Sequence, residues 1–192
     1  MKKNYHYNLI RYCLALALLT PVFLANAQNT LYDNGLLFNS SGTGAGGANE
    51  SILYSTSLGM GTIGFGAQQS AFNRVADDFT ISDCKWNVDS IVFFCYQTNS
   101  TTTSTITAIN FRIWDGFPED AASTLVYGDT TNNFFFFFTW SGVYRVIETT
   151  SGNTARPIMR NVCAVPGLTL NGGNFWIDWS YAGTLGSGPW AP

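Results

Sequence analysis

The chain has 192 residues, of which 46% are apolar and 16% aromatic, with only 11% charged. Roughly a quarter charged is usual for a soluble domain, while the apolar share supports a core, argues against disorder, and the length suits one domain. The single histidine, His6, lies in a segment expected to be removed, which excludes Ser-His-Asp and Cys-His catalysis, histidine-ligated zinc and a histidine pH switch in the remainder.

Residues 1–27 read as a signal peptide. Lys2, Lys3 and Arg11 form a basic start, residues 13–24 an apolar run, and Ala25, Asn26 and Ala27 the small-x-small pattern of a cleavage site. The run is about a dozen residues, too short to span a bilayer roughly 30 Å thick. Export to the cell surface or medium is the expectation, with residues 28–192 as the domain and no membrane span after cleavage. Six basic residues then face twelve acidic ones, a net charge of −6 that opposes nucleic acid and anionic membranes as partners.

Beyond the leader, short β-rich runs alternate with Gly, Asn, Asp, Ser and Thr, and helical spacing is nowhere sustained. GTGAGG at 42–47 and GMGTIG at 59–64 match the spacing of a dinucleotide-binding loop. Neither leads into a helical pattern, so both read as plain loops. Asp77 and Asp78 follow Arg74 in RVADDF at 74–79. Adjacent strand residues face opposite ways, so the two carboxylates cannot form one catalytic dyad. Either is a candidate calcium ligand, against the plainer expectation of a turn cap or a partner for Arg74.

Three cysteines follow the leader, so at most one pair forms; Cys84 and Cys163, both flanking strands, are the candidate disulfide. Cys95, inside IVFFCY at 91–96, reads as a buried strand thiol. The run at 86–98 is apolar on both faces near Phe93 and Phe94, as expected of a central strand. In 108–114, Ile109, Phe111 and Ile113 point one way while Asn110, Arg112 and Trp114 point the other. Five phenylalanines at 134–138 predict either an exposed apolar patch or a strand buried on both faces. In 174–181, Phe175, Ile177, Trp179 and Tyr181 form a core face opposite Trp176, Asp178 and Ser180.

Some eight to ten strands at this spacing predict an all-β protein, an antiparallel two-sheet β-sandwich with jelly-roll-like topology. Trp114 and Trp176, outside the inferred core and beside Arg112 and Asp178, are the candidate ligand-binding residues. A flat ring stacks on a sugar while its polar neighbours take the hydroxyls. Glycoside hydrolysis by two carboxylates needs no histidine, but none of Asp115, Glu119, Asp129, Glu148 or Asp178 shares a strand face with another acid in an obvious pair.

RVADDF at 74–79, WNVDSI at 86–91 and FRIWDG at 111–116, with YDNG at 32–35 and SGPW at 187–190, give a specific order of motifs. Over residues 31–192 the chain resembles a group of secreted bacterial β-sandwich domains found in multi-domain surface or exported proteins, beside adhesin-like modules. The resemblance implies a jelly-roll-like sandwich, an extracellular role and no catalytic residues. The phenylalanine run departs from the group, where a more polar stretch is expected. Related chains continue past the position of Pro192, so other domains of a longer protein are expected partners. The expected function is a non-catalytic binding or adhesion module for a glycan or surface polymer, with no cofactor unless calcium. The alternatives are a structural spacer domain and a two-carboxylate hydrolase acting on carbohydrate.

Overall fold

The computed structural model describes residues 29–82 and 85–192. The chain divides into two units, Met1–Asp33 and Asn34–Pro192, and the strands all belong to the second. They are β1 (Asn49–Tyr54), β2 (Phe65–Gly66), β3 (Val75–Ile81), β4 (Trp86–Cys95), β5 (Ile106–Trp114), β6 (Leu125–Asp129), β7 (Phe135–Ile147), β8 (Pro157–Leu170), β9 (Gly173–Gly183) and β10 (Trp190–Ala191). Among the described residues, helical content is confined to three single 3₁₀ turns, at Ala45–Gly47, Thr56–Leu58 and Gln69–Ala71. The predicted all-β class is the observed one.

Two four-stranded sheets pack face to face, ordered β1-β7-β8-β4 and β3-β9-β5-β6, with β2 and β10 paired at one end. The chain passes repeatedly from one sheet to the other, as a jelly-roll-like sandwich requires. One pairing departs from the antiparallel expectation: β1 runs parallel to β7, with Asn49 beside Val143 and Ser51 beside Arg145.

The period-2 pattern of β5 and β9 decides which side faces inward. Ile109, Phe111 and Ile113 are buried, as are Phe175 and Tyr181, and all join the core with Phe93, Cys95, Cys163 and Val165 of the opposite sheet. Aromatic rings tie the sheets together: Phe93 lies 5.5 Å from Phe111 and 5.4 Å from Trp179 between ring centroids. Each such ring, fully buried, contributes about 1.5–3 kcal/mol.

The placement of β4 corrects one reading. It is not central but an edge strand, paired with β8 along one side. It is apolar on both faces because each face meets something different. Phe93 enters the main core, while Phe94 packs with Leu37, Phe38 and Trp190 in a second cluster around Tyr96, Val143 and Ile158. Segments 37–38 and 190–192 thus cover part of this sheet's outer surface, a tertiary fact that strand periodicity does not carry.

The five phenylalanines divide. Phe134 and Phe135 pack against the core, while Phe136, Phe137 and Phe138 are exposed at 75%, 51% and 38%. β1 joins β7 only from Val143 onward, so among the described strands the first half of β7 has β8 on one side and an open edge on the other.

Candidate functional site

Four residues singled out from sequence, Arg112, Trp114, Trp176 and Asp178, meet on the outer face of the β3-β9-β5-β6 sheet. Strand register puts them there: Arg112 pairs with Asp178 and Trp114 with Trp176 across β5 and β9. On the far side Ala76 of β3 pairs with Asp178. Arg74, two residues before Ala76, therefore projects over the same spot.

Asp178 is the centre of the cluster, and it is only 2% exposed. Its Oδ1 accepts from Nε of Arg74 and, at 3.2 Å, from Nε of Arg112. Its Oδ2 accepts from Arg112 Nε at 3.0 Å and from the Trp114 indole N–H at 2.7 Å. Arg74 also donates from Nη1 to Asn110 Oδ1 at 2.6 Å and to Ser180 Oγ at 3.0 Å, and from Nη2 to the Asp178 carbonyl at 3.2 Å. Arg112 donates from Nη2 to Glu119 at 2.9 Å, and its guanidinium carbon lies 4.8 Å from the centre of the Trp114 ring. Burial pulls the Arg74 guanidinium below its ordinary pKa, and the facing Asp178 opposes that pull.

These contacts revise the individual roles. Asp178 is not a free ligand group, because all its acceptor directions are taken. Trp114 has its N–H committed to Asp178 and its ring beside a guanidinium, so it is a support. Trp176 is different. It is half-buried, packs edge-to-face with Phe117 at 5.0 Å, and pairs in register with exposed Asp78 of β3. Phe117 is 60% exposed, and the Glu119 side chain 70%. Two cations face two carboxylates, so the cluster is neutral as a whole. Its accessible parts are the Trp176–Phe117 corner and the carboxylates at its rim.

Sequence reasoning did not assign Arg74, Asn110, Phe117, Glu119 or Ser180 to this cluster. The outward alternation of 108–114 and 174–181 marks Asn110 and Ser180. Nothing local marks the loop residues: Phe117 and Glu119 arrive through a turn after β5, where Glu119 takes φ 64° and so holds a left-handed conformation costly for a non-glycine residue.

Of the other candidates, Asp78 reaches this face beside Trp176. Asp77 and Asp78 point to opposite sides of β3, as adjacent residues must. Asp77 accepts from the Asn34 side chain and from the Asp78 backbone N–H at 3.0 Å. Among the described residues, no group of three or more His, Cys, Asp or Glu is placed to hold a metal ion. Cys84 lies outside the described residues. Cys163 carries a free, buried thiol, and burial lifts its pKa to about 12; burial also lifts Cys95. Neither thiol is a nucleophile at neutral pH.

The 42–47 loop folds around Glu50 and leads into β1, not a helix. Glu50 accepts from Thr43 Oγ1 at 2.7 Å, Ser151 Oγ at 2.6 Å and the Gly152 N–H at 2.7 Å. Gly44 is needed by that packing, since a Cβ there would meet the Ala48 carbonyl at 3.0 Å and Glu50 Cγ at 3.1 Å.

No family model matches the chain, and no curated protein or solved structure does either.

Proposed function

We propose that the domain is an exported, non-catalytic binding or adhesion module that takes a neutral glycan at the Trp176–Phe117 corner. The observation that carries this reading is the self-neutralised cluster beneath that corner. Arg74, Arg112, Asp178 and Glu119 balance one another, so the face demands no counter-ion and offers ring surface with fixed polar neighbours. A sugar ring presents C–H groups to an aromatic face and hydroxyls to carboxylates, which matches Trp176 beside Glu119 and Asp78. The basic start, apolar run and small-x-small site at 1–27 support export. The motif order, which resembles that of secreted surface domains, supports the same setting.

Binding to an array of neutral polysaccharides tests it. Wild type is expected to retain at least one polysaccharide. Trp176→Ala is expected to weaken binding about tenfold or more while the circular dichroism spectrum is unchanged. Binding to no polysaccharide overturns the reading and leaves a spacer role. Turnover that vanishes in Asp178→Asn or Glu119→Gln overturns the non-catalytic part.

A further inference from the structure

The other outer face, over β1-β7-β8-β4, holds a site of opposite character. Arg145 of β7 lies beside Ser51 of β1 in register, and its backbone N–H donates to the Arg156 carbonyl at 2.9 Å. Arg145 is only 5% exposed. The Nε atoms of both Arg145 and Arg156 are buried without a hydrogen-bond partner. Among the described residues every ion pair belongs to Arg74 or Arg112, and none reaches Arg145.

Arg145 lines a pocket of about 590 Å³. Ser51 stands beside it, and Leu37, Phe38, Leu53 and Pro192 supply apolar walls. The wall at 37–39 is fixed: the Asn39 amide donates to the Ile52 carbonyl and accepts from the Ile52 N–H, both at 2.9 Å. The volume is that of a small-molecule site, typically about 300–1,000 Å³.

We propose that this pocket binds a small organic carboxylate with an apolar body, its carboxylate on Arg145 and its tail along Leu37, Phe38 and Leu53. A guanidinium stays protonated at physiological pH, and removing it from water without an anion is unfavourable. Its planar fork matches a carboxylate in two parallel hydrogen bonds. Arg145 is the one charged side chain in the lining, so the complementary ligand has one anionic end and an apolar remainder. The site is distinct from the aromatic corner on the opposite sheet.

Calorimetric titration of the full chain with octanoate, octan-1-ol and octylamine tests the proposal. Octanoate is expected to bind one to one, with octan-1-ol and octylamine about tenfold weaker or worse. In Arg145→Met, an uncharged side chain of similar reach, the preference for octanoate over octan-1-ol is expected to disappear. Equal binding of octanoate and octan-1-ol to wild type overturns the proposal, as does no octanoate binding at about 10 mM. An undiminished octanoate preference in the variant also overturns it. The wild-type comparison decides alone if the variant does not fold. Polysaccharide binding by Arg145→Met keeps the two sites' outcomes apart.

Discussion

The two outer faces of the sandwich handle buried arginine in opposite ways. Over β3-β9-β5-β6, Arg74 and Arg112 close on Asp178 and leave little unsatisfied. Over β1-β7-β8-β4, Arg145 and Arg156 keep buried N–H groups with no acceptor. The first face is complete without a ligand, so its charges serve to hold Trp114 and the neighbouring rings in place. The second is incomplete, and the proposed carboxylate would complete it. Location on a β-sheet surface therefore says little about role; the satisfaction of each polar group says more.

Breaking the first face has the largest expected effect. Asp178→Ala strands two partly buried cations and an indole N–H, so urea denaturation is expected to show a loss of about 3–5 kcal/mol. A loss near zero would mean that the cluster is dispensable and that the two faces are alike.

Gly128 tests the backbone under the same face. It lies opposite Arg112 on β6 with φ 83°, and a Cβ would sit 2.1 Å from the Phe111 carbonyl oxygen. Gly128→Ala is expected to cost roughly 1–3 kcal/mol by forcing β6 from β5. Its thermal midpoint should fall accordingly.

The second face is expected to respond with the opposite sign. Arg145→Met removes an uncompensated buried charge and should raise stability by about 1 kcal/mol or more in urea. A clear loss would mean the guanidinium is satisfied, and the contrast between the faces would fail.

Glu148 provides a reference outside both clusters. Hydrogen bonds from the Ser55 and Thr56 hydroxyls and the Thr56 N–H hold its pKa down to about 2, from an ordinary 4.5. A depressed carboxyl stabilises the fold above its unfolded pKa and loses that contribution as pH falls from about 4.5 to 2. Glu148→Gln should flatten this part of the acid limb in a stability profile while leaving the plateau above pH 6 parallel to wild type.

The smallest stability change is expected at Phe137→Thr, on the exposed part of β7. Folding should shift by no more than about 0.5 kcal/mol. Self-association in sedimentation runs should fall, because an apolar open edge is a pairing hazard.

Much of the first face was legible in the sequence. Period-2 alternation in 108–114 and 174–181 placed Arg112, Trp114, Trp176 and Asp178 outside the core, where register brings them together. Alternation could not reveal that Asp178 is saturated, because Arg74 arrives from the segment just before β3 and Glu119 from a loop. Nor could it expose the second face. Arg145 sits in an ordinary alternating run, and its burial depends on cover from segments about a hundred and fifty residues apart, at 37–38 and 190–192. The same cover explains why β4 reads as central while lying at an edge.

Nitrogen-15 spectra of the arginine Nε–Hε groups, recorded with and without octanoate, test the contrast most directly. The Arg74 and Arg112 signals are expected to be protected from solvent exchange and unmoved by octanoate, with the Arg145 signal shifting on its addition. An Arg145 signal that ignores octanoate, or Arg74 and Arg112 signals that move with it, would contradict the account.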